Sequence, residues 1–462
     1  MYKLLLAVPF LIGVAALQGL TVEIDTFHGS DARVYQLPTI ELFRERLDFS
    51  DYPSAQTPLF HLVTTGWGEL VGFELWKLRL LNVAISYGAA LALLRLLRRA
   101  TPLGPLPAFA LTLAFALSPY FFGASFTLLT DNLAILFALL ALERIHAFSR
   151  SGSMGDFALA GLCIAAAVLT RQSFLWLVVV AAFFLLRRGE PGARARAGPR
   201  RSDSFARATL AGVGMLALAL LPFALLVIEW NGLVPPSADP ASCGLCTDRP
   251  GFGRDTLTLR AAGFCLALFG VYAALVLGPS ALGWLRVLRS PAGVPRSALG
   301  SRAGRAVSAL VTGKRPRRID LGRLLALATV GAVAVLLVSP LEYVPILPGQ
   351  AGDAGWLWRV SDRLPSLLGS SLLFWLLVPP GAAGAALLIW RAGWASLPSV
   401  VLGAFLLAAL PVALVYQKYF DPFMLLAVAL FARPMDLRRR RDYAGIAIVC
   451  VASVAYALSF AL

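Results

Sequence analysis

Residues 156–186, with the sequence DFALAGLCIAAAVLTRQSFLWLVVVAAFFLL, decide the fold. They form one apolar run that is broken by Thr170–Gln172, and arginines flank the run at Arg150 and Arg187. Because positive loops mark the cytoplasmic ends of membrane helices, a single crossing cannot join two such ends. An arginine at the centre of a bilayer is costly and normally faces a cavity lined by protein. We therefore predict a hairpin of two short helices, with Arg171 at or near its outer turn.

The composition indicates that a bilayer is the solvent of the whole chain. Of the 462 residues, 58% are hydrophobic and 14% are charged, and the mean hydropathy is +0.75. Such a chain has too little polar surface to cover a soluble globule. Counting spans of roughly 20 apolar residues predicts about 13 crossings. We expect an all-α fold, a polytopic transmembrane helical bundle that forms a single integral-membrane domain over residues 1–462.

The basic residues lie in short loops between apolar runs, although a net charge of +16 could also attract nucleic acid. In such loops they set the orientation of the helices and contact anionic headgroups, so we expect membrane lipids as partners and no nucleic acid. The most basic loop, residues 286–323, is predicted to be cytoplasmic. The N-terminal segment with Lys3 is interpreted as a retained first helix, because further apolar spans follow it.

The five cysteines do not form a framework of the secreted kind. Cys163, Cys265 and Cys450 lie in apolar runs and are interpreted as core residues. Cys243 and Cys246 form a single CxxC motif without a second pair or a histidine pair, so a zinc site is not expected. We interpret this motif as a short-loop disulfide on an oxidising face.

The polar interval after the first span is the main candidate for chemistry. Residues 23–58, EIDTFHGSDARVYQLPTIELFRERLDFSDYPSAQTP, carry seven carboxylates and three arginines. Residues 21–76 are predicted to form the first external loop with amphipathic helices, because residues 58–76 are amphiphilic and interrupted by glycines. A loop between membrane helices is polar in any case. These residues therefore indicate a functional site only in combination with polar residues further along the chain.

Counting crossings from the basic loops places several polar side chains on the same, external side: Asp25, His28, Asp31, Asp131, Arg171, Gln172, Lys418 and a loop with Trp356 and Trp358. Charges at helix ends inside an apolar bundle are expensive, which favours a function. Structural roles stay open as well, with the aspartates as helix caps or solvated loop residues and Arg171 as an interfacial anchor. The two tryptophans are interpreted mainly as membrane-interface anchors.

A carboxylate and cations in a cavity at the membrane surface suit transfer of a sugar from a polyprenyl-phosphate donor to a hydroxyl group. The carboxylate takes the proton of the acceptor, and Arg or Lys stabilises the departing lipid phosphate. Neither role needs a metal or another cofactor. The chain has no phosphate-binding glycine loop and no HExxH motif, which argues against P-loop ATPases and zinc hydrolases.

Two other classes stay open. A polytopic transporter or lipid-linked-glycan flippase would also place charges in a membrane cavity, but the sequence shows no paired halves with broken helices at matching positions. A non-catalytic assembly protein is the third reading.

Short motifs spread over nearly the whole chain then suggest a family: Asp25-Thr-Phe-His28 with Tyr35, Gln56-Thr57-Pro58-Leu59, Arg79-Leu-Leu-Asn82, Leu129-Thr130-Asp131, Arg171-Gln172-Ser173, Trp230-Asn231-Gly232 and Lys418-Tyr419-Phe420. Their order resembles the GT-C glycosyltransferases that use polyprenyl-phosphate sugars, and in detail the dolichyl-phosphate-glucose α-1,2-glucosyltransferase family. The resemblance implies an inverting, metal-independent hexosyltransferase that moves glucose to a lipid-linked glycan or similar acceptor on the non-cytoplasmic face. The composition looks prokaryotic, so we expect undecaprenyl or another polyprenyl phosphate as the carrier, in a plasma membrane.

The resemblance also implies roles for single residues: Asp31 or Asp25 as catalytic base, Arg171 and Lys418 as donor-phosphate contacts, and His28, Tyr35, Asp131 and Gln172 as substrate-binding residues. The sequence departs from the pattern at Ile24, where an acid would precede Asp25, and at Lys418, where an arginine is expected. Asp31 also matches the Asp-Glu-x-x-Tyr loop of the wider protein-mannosyltransferase-like group, with Ala32 in place of the second acid. The two alignments disagree over the base, and we favour Asp31 over Asp25 without excluding either.

Overall fold

Apolar helices make up nearly all of the structure. The computed structural model describes residues 1–17, 31–187, 202–238, 258–289, 321–341, 355–410, 412, 415–433, 437 and 440–461. In chain order the α-helices are α1 (Tyr2–Leu5), α2 (Val8–Ala16), α3 (Leu37–Glu45), α4 (Leu59–Val71), α5 (Leu75–Ala100), α6 (Pro105–Ala116), α7 (Pro119–Ala124), α8 (Asp131–Ser151), α9 (Met154–Thr170), α10 (Trp176–Arg187), α11 (Ser202–Glu229), α12 (Arg260–Arg289), α13 (Leu321–Val338), α14 (Trp356–Asp362), α15 (Leu372–Ala392), α16 (Leu397–Ala409), α17 (Asp421–Phe431) and α18 (Ala444–Ala461).

The predicted fold class, an all-α polytopic membrane bundle, is confirmed. Six helices are long and apolar enough to cross a membrane among the residues just given, namely α5, α8, α11, α12, α13 and α15. Several shorter apolar helices accompany them, so the number of about 13 spans stays a prediction. The strands in this part of the chain are β1 (Ser366–Leu367) and β2 (Ser370–Ser371), which pair antiparallel with Ser366 opposite Ser371.

Some predictions fall outside the described residues. They concern Asp25, His28, the Cys243 and Cys246 pair, and residues 290–320 of the basic loop.

The decisive apolar run folds as two helices that are broken at Arg171, as predicted. Helix α9 ends at Thr170, Arg171 is extended with φ −151° and ψ 117°, and a 3-10 turn leads into α10. Helices α8 and α9 are joined by a tight turn at Gly152, whose φ of 69° is left-handed and suits glycine at a helix C-terminus. This antiparallel pair places the start of α8, Asp131, and the end of α9, Arg171, at one end of the bundle.

The other end of α8 is held by ion pairs. Glu143 is only 2% exposed, lies 2.6 Å from Arg95 Nε and also pairs with Arg99, so one carboxylate ties α8 to α5. Arg144 and Asp156 are 3.2 Å apart and tie α8 to α9. We call this the basic end and the opposite end, with Asp131 and Arg171, the site end.

Helix α17 connects the two groups of helices. Every residue of α17 except Phe423 is buried, and the helix packs on α12 and α16 as well as on α5, α6 and α7. The turn before it, residues 417–419, is therefore fixed at the site end.

Trp358, in the nearby helix α14, is 4% exposed. It stacks on Phe264 with ring centroids 5.0 Å apart. The interpretation of Trp358 as an interface anchor is therefore wrong, because its ring is part of the core.

Two glycines set the spacing of α12 and α15. A Cβ at position 381 would collide with the carbonyl oxygen of Leu266 and lie 2.9 Å from its carbonyl carbon. A Cβ at position 270 would lie 2.8 Å from the Cα of Gly381. Backbone atoms cannot yield as the tip of a side chain does, so a larger residue at Gly270 or Gly381 would push the helices apart.

We predict that Gly381→Ala lowers the thermal unfolding midpoint of the purified protein. Overpacking costs about 1–3 kcal/mol, against a gain of about 1 kcal/mol in helix propensity when alanine replaces glycine. Gly384→Ala is the matched control, because it gains the same propensity on the same helix and nothing lies within 4 Å of its Cβ. Equal midpoints for the two variants in detergent would contradict the close approach of α12 and α15.

Candidate active site

Four charged side chains from separate parts of the chain meet at the site end. Lys418 Nζ lies 2.7 Å from Asp31 Oδ2, although the two residues are 387 positions apart. Arg171 Nη1 pairs with Asp131 Oδ1. An acid of the first polar loop, the start of α8, the end of α9 and the turn before α17 thus come together in two ion pairs.

Tyr419 joins the two pairs. The Arg171 guanidinium carbon lies 5.1 Å from the centroid of the Tyr419 ring, and Lys418 Nζ lies 5.2 Å from the same centroid. A ring at this distance attracts a cation by its quadrupole. Two cations therefore share one aromatic ring, which fixes the spacing between the ion pairs. In the part of the chain that the structure describes, the cluster has two positive and two negative groups and is neutral.

The cations lie deeper in the protein than the carboxylates. The side chains of Arg171 and Lys418 are 10% exposed, whereas those of Asp131 and Asp31 are 25% and 23% exposed. Burial lowers the pKa of Lys418, but Tyr419 and the carboxylate of Asp31 outweigh it, and the pKa lies above its ordinary value. Lys418 therefore carries a positive charge at neutral pH.

A pocket opens beside this cluster. Its lining residues are Tyr120, Ala124, Leu129, Asp131, Asn132, Ile135, Phe174, Lys418, Pro422 and Phe423. Most of the lining is apolar or aromatic, while Asp131, Asn132 and Lys418 supply polar groups. Ligand pockets commonly combine apolar walls with a few orienting polar groups. The pocket therefore presents an ammonium group, a carboxylate and an amide within mostly apolar walls.

Asn132 presents an unused acceptor at this pocket. Its amide nitrogen donates to the Phe121 carbonyl at 3.1 Å and to the hydroxyls of Ser86 and Ser125. Because the carbonyl can only accept, the amide orientation is fixed, and Oδ1 is left buried without a hydrogen-bond partner.

The turn after Asp31 is anchored by a buried amide and a histidine. Residues Ala32–Gln36 form one turn of π-helix, and Gln36 Oε1 lies 2.7 Å from His61 Nε2 on α4. Since the amide oxygen accepts only, His61 carries its proton on Nε2. Burial lowers the pKa of His61 to about 3, so the ring is neutral. Sequence reasoning singled out His28 and missed His61, which shares the buried face of α4 with Phe60, Thr64 and Gly68.

Asp131 does not act as a helix cap in the simple sense. The N-cap residue Thr130 makes no side-chain capping bond, and the Asp131 carboxylate pairs with Arg171 instead. Its place in the first turn of a 21-residue helix still favours a negative charge, because the N-terminal end of the helix dipole is positive. The loop that leads to Asp131 is held by Asn82, whose amide donates to the carbonyls of Ala124 at 2.7 Å and Thr127 at 2.5 Å.

A second buried network fixes Lys418. The side chain of its neighbour Gln417 donates to Asp421 at 3.0 Å and accepts from the backbone N–H of Leu357 at 2.9 Å. Asp421 is fully buried and also accepts from the Tyr272 hydroxyl at 2.5 Å. Sequence reasoning missed Gln417, Asp421 and Tyr272, because the pattern gave no signal beyond single polar residues beside apolar spans.

Gln172 and Tyr35 do not line the pocket. The Gln172 amide donates to the carbonyls of Ala55 at 2.8 Å and Leu233 at 3.3 Å, and so ties the first loop to the turn after α11. Tyr35 is 45% exposed, and its carbonyl accepts from the Thr39 hydroxyl. The substrate-binding roles of these two residues and of His28 stay predictions.

Comparison with known proteins adds a family model. Residues 55–196 match the family described as dolichyl-phosphate-mannose-protein mannosyltransferase. The matched segment is about a third of the chain and includes Asp131 and Arg171 but neither Asp31 nor Lys418. No curated protein matches the chain.

Among solved structures, the chain is similar to the S. cerevisiae protein O-mannosyltransferase Pmt1-Pmt2 complex bound to the sugar donor, with 16% identity and a TM-score of 0.38 over 50% of this chain. It spans only 33% of that mannosyltransferase chain. It is also similar to ArnT from Cupriavidus metallidurans in the apo state and bound to undecaprenyl phosphate, with 16% identity and TM-scores of 0.38 and 0.36 over 92% of this chain and 77% of ArnT. Likenesses at this level do not establish an activity.

We predict a pH dependence of stability from His61. Burial holds its folded-state pKa at about 3, below the ordinary value of 6.5. Between these values the unfolded chain binds a proton that folded His61 does not, so stability falls as the pH falls from 6.5 and does not depend on His61 above it. The slope contributed is about 1.4 kcal/mol per pH unit.

Thermal or denaturant unfolding, followed from pH 7, above this window, to about 4.5, inside it, checks the prediction. His61→Gln keeps an N–H for Gln36 but does not titrate, so the variant should lose this slope. His146→Gln is the control, because His146 is only partly buried, and it should keep most of the slope. The same pH dependence in wild type and His61→Gln would contradict a neutral buried histidine.

Proposed function

We propose that the protein is a membrane glycosyltransferase that moves a hexose from a polyprenyl-phosphate-linked donor to a hydroxyl of a lipid-linked glycan or similar acceptor. The observation that carries the proposal is the meeting of Asp31, Asp131, Arg171 and Lys418 beside a pocket at one end of a membrane bundle. The active site then faces the non-cytoplasmic side of a prokaryotic plasma membrane, with the basic end in the cytoplasm.

Asp31 is the general base in this proposal. Its carboxylate lies at the more exposed edge of the cluster, where a hydroxyl group from the acceptor reaches it. As the acceptor oxygen attacks C1 of the sugar, its proton passes to Asp31, and the bond between C1 and the phosphate oxygen breaks. The electron pair of that bond stays on the phosphate. Attack from the face opposite the phosphate inverts the configuration at C1.

Lys418 and Arg171 receive the departing phosphate. Lys418 lines the pocket. Arg171 does not line it, but its guanidinium carbon lies 5.1 Å from the centroid of the same Tyr419 ring that Lys418 contacts. Both groups are fixed before the reaction, and fixed charges in a site of low dielectric stabilise charge that develops in the transition state. Asp131 keeps Arg171 oriented, and no step needs a metal ion.

Glucose and mannose are the two candidate sugars. The sequence resemblance implies glucose, whereas the description of the matching family model names mannose. Assays therefore use both hexoses.

We predict that Asp31→Asn lowers the turnover of labelled undecaprenyl-phosphate hexose by about 10²–10⁴-fold, the usual contribution of a general base. The purified protein is assayed in lipid nanodiscs with hydroxyl acceptors, and transfer to the acceptor is measured. Arg171→Ala and Lys418→Met lower turnover as well, because each removes a charge that stabilises the leaving phosphate. Asp25→Asn, changed at the other candidate base, is measured in parallel.

Asp156→Asn is the matched control for Asp31→Asn. Asp156 is also a carboxylate in an ion pair, and its side chain is 22% exposed against 23% for Asp31, but it lies at the basic end. Its variant should transfer sugar at the wild-type rate. Equal transfer by Asp31→Asn, Asp25→Asn and Asp156→Asn would overturn the base assignment.

A further inference from the structure

The charge of Lys418 belongs to two features of the site, the ion pair with Asp31 and the lining of the pocket. In the structure its ammonium group is 2.7 Å from the Asp31 carboxylate, yet it is also the cation that lines the pocket. Among the described residues, the cluster has two cations and two carboxylates and is neutral. An anionic ligand that enters the pocket therefore gains little attraction unless one carboxylate gives up its partner.

The pair of Arg171 and Asp131 is the less exchangeable of the two. Both residues lie at the ends of α8 and α9, which pack against each other along their length. The Arg171 backbone N–H is bonded to the Ala167 carbonyl at 2.8 Å, so the backbone on both sides of this ion pair belongs to packed helices. Arg171 also does not belong to the pocket lining.

The pair of Lys418 and Asp31 is built differently. Asp31 precedes a single turn of π-helix, and its side chain makes no capping bond to that turn. Its anchor, the contact between Gln36 and His61, lies five residues away and does not involve the carboxylate. A rotation of the Asp31 side chain is therefore enough to leave Lys418, whereas Lys418 itself is held by the turn of Gln417 and Asp421.

We propose that the phosphate of the lipid donor displaces Asp31 from Lys418, so that binding of the donor releases the base. The inference rests on the proposed function and adds an order of events to it. Asp31 competes with the phosphate in the free protein and accepts the acceptor's proton in the complex. No covalent bond changes in the exchange, since one carboxylate partner of the ammonium is replaced by a phosphate oxygen.

The proposed exchange predicts a change in the affinity for a polyprenyl phosphate that a role of Asp31 as general base alone would not predict. If Asp31 competes with the phosphate, Asp31→Asn removes the competitor, so the variant binds a polyprenyl phosphate more tightly while it loses transfer. A base that has no tie to Lys418 would leave the dissociation constant unchanged. A carboxylate that orients Lys418 for the phosphate would make binding weaker when it is removed.

The test measures equilibrium binding of undecaprenyl phosphate to the full chain in nanodiscs. We expect Asp31→Asn to lower the dissociation constant by about two- to fivefold, the range for loss of one partly exposed ion pair. Lys418→Met should raise it, and Asp31→Asn should bring no gain in a protein that already carries Lys418→Met. This double-mutant cycle assigns the gain in affinity to the contact between the side chains of Asp31 and Lys418.

Two controls separate the phosphate from other contributions. Undecaprenol, which has the same tail without a charge, should bind wild type and Asp31→Asn equally. Asp156→Asn, a variant of the ion pair at the basic end, should bind undecaprenyl phosphate as wild type does. Elution as a single species on size exclusion and an unchanged thermal midpoint show that each variant is folded.

The possible outcomes are distinguishable. Wild type that binds undecaprenyl phosphate better than undecaprenol, together with equal or weaker binding by Asp31→Asn, overturns the exchange and leaves the proposed function standing. Equal binding of phosphate and alcohol by wild type and all variants overturns both, because a transferase with this donor has to recognise the phosphate.

Discussion

The structure depends on one constraint, that a charge inside a membrane bundle needs a partner of opposite sign. Both ends of the bundle satisfy it, but in different ways. At the basic end Glu143 is 2% exposed and pairs with two arginines, so its charge is enclosed and serves to join α5 to α8. At the site end Asp31 and Asp131 are about ten times more exposed. The enclosed pair is suited to stability, and the accessible pairs are suited to an exchange of partners.

Uncharged amides place the four charged groups of the site. Each charged residue has a glutamine or asparagine beside it or one turn away: Gln36 after Asp31, Asn132 after Asp131, Gln172 after Arg171 and Gln417 before Lys418. Each of these amides bonds to another segment through its nitrogen or through its oxygen, as the Gln172 nitrogen does to the carbonyls of Ala55 and Leu233. An amide can donate and accept without the cost of burying a charge. Polar anchors of this kind hold the ends of helices in place, while the charges stay available to a ligand.

The sequence was sufficient to predict those parts of this arrangement that follow from the length and number of the apolar spans and from the positive charge of their flanks. Apolar length gave the fold class, the basic flanks of residues 156–186 gave the break at Arg171, and the parity of crossings put Asp131, Arg171 and Lys418 at one end. It could not give the pairing of Asp31 with Lys418, because contacts 387 residues apart depend on how the helices pack. Trp358 was misjudged for the same reason, since a tryptophan in a loop can anchor at an interface or stack in a core.

The proposed exchange also bears on the end of the catalytic cycle. The proposed sugar donor is a phosphate diester with one negative charge, whereas the lipid phosphate that the proposed transfer would leave is a monoester that can carry up to about two. Lys418 therefore holds the product more firmly than the donor. Asp31 has just received a proton and cannot compete for Lys418 until that proton leaves for water. Loss of the proton restores the carboxylate, the carboxylate takes Lys418 back, and the spent lipid phosphate is released, so the same ion pair that delays donor binding in the free protein helps to expel the product.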